Sequence, residues 1–443
     1  MASANGNDEL RALRELQPSS PKRSSGPGST AWYGYYAGYA DKFVADIVTA
    51  LPKSAEMVLD PWNGSGTTTA IATAASLSSR GFDMNPAAVV IAKARLLRSD
   101  VVGSIASLTE EILTSVPHAP PSVDEADLLL TWFSPQSASH IRALERRVYQ
   151  LLVSAGSDER AIATVENVSA LAALFYLGLF RTIRTLVSPF LGSNPTWIRR
   201  NIPSRNRLRP GQATIHNSFR DATSDLIALA ETSSQDYPES NCPSSIDVAS
   251  STNLPLPDSS VDAVITSPPY CTRIDYVIAT LPELSVLGLR PEELKTLRDE
   301  MIGTPTISSR ESDATEFLTN SPTAERLLTD IAGHASKASG GYYRKFFLGY
   351  LGGLDESLAE IGRVSRPGAP VIFVVQDSYY KEIHIDLASI IAEMAEAHSL
   401  SRVADHNFEV IARRNYATIN PRSRVYRVST PATESVLIMA GAK

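Results

Sequence analysis

The run Glu56-Met57-Val58-Leu59-Asp60, followed by Pro61-Trp62-Asn63-Gly64-Ser65-Gly66 and an alanine-rich stretch from Thr67 to Leu77, limits the architecture more than any other feature of the chain. A short apolar run closed by an acid reads as a buried strand, and the Gly/Ser turn and apolar-periodic segment behind it read as loop and helix. A second unit follows at once, with Arg80-Gly81-Phe82-Asp83 as a strand end and Ala87 to Arg98 as a helix. Repeated βα units place the chain in the α/β class. Further on, Val261 to Thr266 and Pro370 to Val375 read as buried strands, and Ser435 to Met439 as a closing strand. Helical spacing covers Phe43, Ile47 and Val48, then Tyr343 to Val364 and Leu387 to His398.

Between these units the pattern changes. From about Ser104 to Asn241 the apolar residues of Ile141 to Val153 and Val165 to Leu186 have helical spacing with no alternating strand between them, which reads as a helical insertion. A second insertion, about Leu281 to Gly341, opens with a helix start at Pro291-Glu292-Glu293-Leu294 and continues through a Ser/Thr-rich stretch. Residues 1–30 include Gln17-Pro18-Ser19-Ser20-Pro21 and Ser24-Ser25-Gly26-Pro27-Gly28, too poor in apolar side chains to offset ordering entropy, and are expected to be a disordered tail. The expected organisation is therefore 1–30 tail, 31–103 first half of an α/β domain, 104–241 helical insertion, 242–280 a second strand region, 281–341 second insertion and 342–443 the closing half of the domain.

Chemistry concentrates at two strand ends. In Asp60 to Thr68, Gly64 and Gly66 let the backbone pass close to a ligand, and the helix start behind them presents unpaired N–H groups to an anion. Thr67-Thr68-Thr69 follows Gly66, so the sequence has neither the third glycine of a dinucleotide fingerprint nor the Lys of a P-loop. Asp83, at the end of the next strand, stands where an acid meets ribose hydroxyls. The second strand end is Thr266-Ser267-Pro268-Pro269-Tyr270. Two prolines stiffen the loop and remove two backbone donors, leaving Ser267 Oγ and the Pro268 carbonyl as acceptors for an exocyclic amino group, with Tyr270 available to stack on a base.

With both motifs in place, the chain resembles the amino-directed S-adenosylmethionine-dependent DNA methyltransferases, which modify cytosine N4 or adenine N6. Their cofactor loop looks like Asp60 to Thr68 and their catalytic motif like Ser267-Pro268-Pro269-Tyr270. Further similarity lies in Tyr36 to Val48, Leu254 to Asp258 and Arg424 to Met439. The resemblance implies a class I methyltransferase fold, a Rossmann-like seven-stranded sheet here carrying a large helical insertion. It implies S-adenosyl-L-methionine bound by Tyr36, Asp60, Pro61, Trp62, Asn63, Gly64, Ser65, Gly66, Thr67, Thr68, Asp83 and Met84. It also implies a base flipped from double-stranded DNA into a catalytic pocket of Ser267, Pro268, Pro269 and Tyr270. Ser267, in place of Asp or Asn, resembles the cytosine-N4 branch. Cofactor loop first and catalytic motif second excludes the family's permuted group. The chain departs from the family at Ala249-Ser250-Ser251, where a Gly-Asp-Ala-like segment is common, and at Trp62, where Phe is common.

The remaining residues set limits. Forty-one Lys+Arg against 48 Asp+Glu give a net charge of -7, so nucleic-acid binding must rest on a local patch. Arg199, Arg200, Arg205, Arg207 and Arg209 supply one, with Trp197, Arg181, Arg184 and Arg220 near in sequence. Arg413, Arg414, Arg422, Arg424 and Arg427 form a second. The helical insertion is the expected target-recognition element. Cys242 and Cys271 cannot build a disulfide framework, and Cys271, one residue beyond the catalytic motif, is expected to be a structural thiol rather than a nucleophile. The histidines show no metal-ligand spacing, so no metal is expected. The apolar stretch Ser169 to Phe180 is too short to span a bilayer, and a cytoplasmic protein without a membrane partner is expected. Three functional readings stay open: the DNA enzyme, with a restriction or defence system as its possible partner; an RNA guanine-N2 methyltransferase; and a non-catalytic nucleic-acid-binding protein that keeps the fold.

Overall fold

The computed structural model describes residues 10–22, 32–34, 38–154, 165–192, 197–236, 242–271, 274–304, 316–410 and 432–442. Its centre is a seven-stranded sheet in the order β3-β2-β1-β4-β5-β9-β8. The strands are β1 Met57–Asp60, β2 Ser78–Asp83, β3 Ser244–Val248, β4 Ala263–Thr266, β5 Pro370–Gln376, β8 Leu400–Val410 and β9 Ala432–Gly441. The first five in spatial order are parallel, and β9 runs antiparallel to both β5 and β8. A short hairpin, β6 Ser378–Tyr380 and β7 Ile383–Ile385, stands apart from this sheet. This is a mixed α/β architecture with a mostly parallel sheet, consistent with a Rossmann-like methyltransferase fold.

The strands sort their side chains with a period of two. Val58, Ala263, Ile265, Ile372, Val374, Val436 and Ile438 face the helix Asp41–Ala50, which contributes Phe43, Val44 and Ile47. Their neighbours Leu59, Val264, Val371, Phe373, Val375, Leu437 and Met439 face the other way, onto the helices Arg344–Val364 and Leu387–Ala397. Both faces of the central strands are buried, which is why these strands read as continuous apolar runs.

The helical insertion forms a third body of core. The helices Pro135–Leu152, Ala170–Leu186 and Gln212–Asp236 bury Leu144, Phe175, Phe180 and Phe219 against Pro86–Ala94, the crossover helix after β2. The insertion lies between β2 and β3 in the chain, and its core continues into the segment Leu281–Val286 that follows Ser267-Pro268-Pro269-Tyr270. No helix among the described residues is long and apolar enough to cross a membrane.

Part of the expected tail is ordered. Residues 10–22 include the helix Arg11–Glu15, whose Leu13 is fully buried beside Leu10 and the Phe43 core, and Ser19 N donates to Asp46 Oδ2 at 2.8 Å. Two leucines ahead of the Pro/Ser-rich stretch supply the apolar anchor that the stretch itself lacks.

Candidate functional site

The chain reverses direction across the sheet between β1 and β4: β2 and β3 lie on one side, β5 on the other. The carboxyl ends of strands at such a switch point are where open α/β sheets bind ligands. Asp60 ends β1 and Thr266 ends β4, so the two strand-end motifs, 206 residues apart, meet there.

The junction is a hydrogen-bonded knot. Thr266 Oγ1 donates to Asp60 Oδ1 at 2.6 Å, Tyr39 OH donates to Asp60 Oδ2 at 2.9 Å, and Trp62 N donates to Asp60 Oδ1 at 3.1 Å. Thr68 Oγ1 donates to the Ile265 carbonyl at 3.1 Å and also touches the Tyr39 hydroxyl. Asp60 is 1% exposed, and burial pushes its carboxyl above the usual range while these donors pull it back. Tyr39 is pushed well up, first by burial and then by Asp60, so its hydroxyl stays a donor.

The glycine loop is shaped by close approach. Gly66 has φ +79°, and a Cβ there would stand 2.6 Å from Ala92 Cβ, so only glycine lets the loop and the crossover helix meet. Gly64 N donates to Asp83 Oδ2 at 3.0 Å and Asn85 N to Asp83 Oδ1 at 2.8 Å, which ties the loop to the end of β2. Asp83 is pushed up to about 6, chiefly by desolvation and in part by Asp60, against the pull of those two N–H groups. Each of its oxygens keeps a lone pair for a ligand hydroxyl.

The Ser267–Cys271 loop is held at three points. Ser267 Oγ donates to the Val374 carbonyl of β5 at 2.8 Å, Tyr350 OH to the Pro269 carbonyl at 2.7 Å, and Ser378 Oγ to the Cys271 carbonyl at 3.0 Å. Because Ser267 spends its proton on Val374, its Oγ lone pairs are left as acceptors. Cys271 is buried and its thiol pushed well up by that burial, as expected of a structural thiol.

These elements surround one cleft. Asp60, Pro61, Trp62, Asn63, Gly64, Ser65, Thr67, Asp83 and Met84 line it together with Ser267, Pro268, Pro269 and Tyr270. Gly66 and Thr68 are not part of the lining and act on the loop's shape and on Asp60. Tyr36 lies outside the described residues; Gly38 and Tyr39 line the cleft from the same segment. Ala249 and Ser251 also line it, while Ser250 Oγ is bonded to Thr252 Oγ1 at 2.8 Å, so this segment offers small side chains and no acid. Tyr276, Met301 and Ile302 complete the wall. Nothing in the sequence around Met301 and Ile302 marks them. The aromatic run Trp32-Tyr33-Gly34-Tyr35-Tyr36 ahead of the helix Asp41–Ala50 is a sequence signal for the segment that carries Tyr39.

The basic residues fall elsewhere. Arg199, Arg200, Arg205 and Arg209 are exposed and Arg207 is half-buried, on a segment fixed by Trp132 Nε1 to the Arg199 carbonyl (2.9 Å) and Leu208 N to the Trp132 carbonyl (2.8 Å). None lines the cleft. Trp197 beside them is 57% exposed. The wider patch expected around them does not form: Arg184 is paired with the fully buried Glu283 at 2.7 Å, Arg181 donates to the Trp32 carbonyl at 2.8 Å, and Arg220 is paired with Glu110 at 2.6 Å. Arg181 and Arg184 turn toward partners inside the fold, whereas Arg220 and Glu110 pair on the surface. Arg413, Arg414, Arg422, Arg424 and Arg427 lie outside the described residues. Among the described residues no group of three or more His, Cys, Asp or Glu side chains is arranged to hold a metal.

Against known proteins, the chain is 26% identical over 144 residues to the Type II methyltransferase M.AvaI of Nostoc sp. strain PCC 7120, and equally to the protein of that name from Anabaena variabilis. The match covers 30% of this chain and 30% of each relative. No family model matches the chain. Both relatives are methyltransferases by name, and the chain spans about a third of their length.

Proposed function

We propose that the protein transfers a methyl group from S-adenosyl-L-methionine to an exocyclic amino group of a base in double-stranded DNA, cytosine N4 ahead of adenine N6. The observation that carries this reading is the Thr266–Asp60 hydrogen bond, which puts a ligand-binding glycine loop and an amino-group acceptor motif in one cleft. The residues fit the cofactor: the loop is free of Cβ atoms where backbone approaches closely, N–H groups open the helix Thr67–Ala74, and Asp83 presents a carboxylate for ribose hydroxyls.

When bound, S-adenosylmethionine supplies an electrophilic sulfonium methyl. The protein's part is positioning. The target base leaves the stack; Ser267 Oγ and the Pro268 carbonyl accept the N–H groups of its amino nitrogen, which draws the nitrogen lone pair out of conjugation and aims it. Tyr270 stacks on the ring. The amino nitrogen loses its proton after transfer, so no strong base is needed. Arg199, Arg200, Arg205, Arg207 and Arg209, with Trp197, contact the DNA backbone. The M.AvaI relatives, named as Type II methyltransferases, support a restriction or defence setting.

Replacing Pro269 or Tyr270 with Ala tests the reading. Cofactor titration should give an affinity within about twofold of wild type while transfer falls roughly 100-fold. Retained transfer in Tyr270→Ala would remove the motif from the reaction.

A further inference from the structure

The far wall of the cleft is set by an ion pair that no strand end announces. Arg298 donates through Nε (3.0 Å) and Nη2 (2.6 Å) to Asp275 Oδ2, with the side chains 29% and 12% exposed. The other oxygen, Oδ1, accepts from Ile278 N at 3.0 Å and caps the turn Tyr276–Ala279, which carries Tyr276 into the cleft. On the Arg298 side, the buried Thr304 donates from Oγ1 to the Arg298 carbonyl at 2.7 Å and closes the chain between them into a turn. Gly303 in that turn has φ +82°, and a Cβ built on it would stand 3.7 Å from Pro269 Cβ and 3.7 Å from Tyr350 Cδ2. Tyr350 is the residue whose hydroxyl holds the Pro269 carbonyl. Ile302 packs on the same helix, within 3.0 Å of where a Cβ on Gly353 would be. One ion pair thus connects the turn that presents Tyr276, the apolar wall of Met301 and Ile302, and the second proline of the catalytic motif.

We propose that Asp275 and Arg298 form a positioning pair for methyl transfer, holding the Met301–Gly303 turn against Pro269 and closing the apolar side of the cleft over the target base. The inference rests on the methyltransferase reading and assigns to that site two residues that touch neither ligand. A misplaced Ser267–Tyr270 loop costs rate rather than cofactor affinity, because the glycine loop and Asp83 are held to each other by their own hydrogen bond.

The test compares wild type with Asp275→Asn, Arg298→Ala, Arg298→Lys and the Asp275→Asn/Arg298→Ala double variant. Asn can keep its oxygen as the acceptor for Ile278 N while turning an amide NH2, a donor, toward Arg298, so this variant breaks the pair without uncapping the turn. Each is measured for S-adenosylhomocysteine affinity by calorimetry, single-turnover transfer to DNA, and melting temperature. Expected are S-adenosylhomocysteine affinities within twofold of wild type, transfer slowed about tenfold in Asp275→Asn and Arg298→Ala, partial recovery in Arg298→Lys, and a double variant no slower than either single one. Unchanged transfer, additive losses, or S-adenosylhomocysteine affinity falling in step with rate would overturn the pairing while leaving the enzyme reading intact. A wild-type protein that binds S-adenosylhomocysteine and methylates neither DNA nor RNA would overturn both.

Discussion

The two walls of the cleft are built in opposite ways. One is almost continuous in sequence: Asp60 to Ser65 and Thr67 line it in a single turn, braced by Asp83 from the neighbouring strand. The other gathers Tyr276, Met301 and Ile302 from beyond the catalytic motif and holds them through Asp275–Arg298. Behind it, the helical insertion grips the segment Leu281–Val286: Arg184 pairs with Glu283, and Arg142 donates to the Ser285 and Val286 carbonyls at 2.8 and 2.7 Å, while Tyr33 OH, from ahead of the insertion, also donates to Glu283. The contrast teaches that the insertion, whatever else it contacts, is a structural support for the segment that follows Tyr276. It shares one core with the crossover helix and does not stand as a separate module.

The largest effect should come from breaking that grip. Glu283 is fully buried and Arg184 only 24% exposed, so Arg184→Ala strands a buried carboxylate and should cost about 3–5 kcal/mol of stability. Denaturant unfolding measures it, and a loss below 1 kcal/mol would show that the insertion does not support that segment. On the opposite wall, Gly66→Ala adds a Cβ 2.6 Å from Ala92 Cβ at a φ of +79°. Overpacking and strain should cost about 1–3 kcal/mol, read as a lowered melting temperature, together with weaker cofactor binding.

A third test uses pH to separate the walls. The Asp83 carboxyl is held at about 6 against an ordinary 3.8, so between these values the native state binds the extra proton. Native stability from this group therefore falls as pH rises through that window and is level above it. Ligand hydroxyls donate to the ionised carboxylate, so cofactor affinity should weaken as pH falls below about 6, and Asp83→Asn should flatten the profile. An unchanged slope in Asp83→Asn would assign the titration elsewhere. The smallest effect is expected for Tyr350→Phe, which removes one hydrogen bond to the Pro269 carbonyl, worth about 1 kcal/mol. Transfer should slow about fivefold at unchanged cofactor affinity, as single-turnover rates would reveal.

How much was legible in the sequence follows the same division. Strands β1, β4 and β5 are short apolar runs buried on both faces, and the loops behind them carry their chemistry within a few residues, so fold class and both motifs could be read directly. The edge strand β8 is not apparent: Ser401, Arg402, Asp405, His406 and Asn407 interrupt its apolar pattern, because it pairs with β9 alone. The 25-residue helix Gln212–Asp236 hides for a similar reason, its buried Ile215, Phe219 and Leu226 being spaced among Ser, Thr and Asp. Arg184 reads as surface charge until Glu283, 99 residues away, is placed beside it. Met301 and Ile302 have no local signature, since their role depends on a turn that tertiary contacts fix.

The central claim is that the two walls together form one site for methylating a base amino group in DNA. Its most direct test is incubation of the purified protein with labelled S-adenosylmethionine and separate duplex DNA and RNA pools, followed by nucleoside mass spectrometry. The account predicts N4-methylcytosine in DNA. N6-methyladenine would keep the site and correct the base, whereas label confined to RNA, or cofactor binding with no methylated base in either pool, would contradict it.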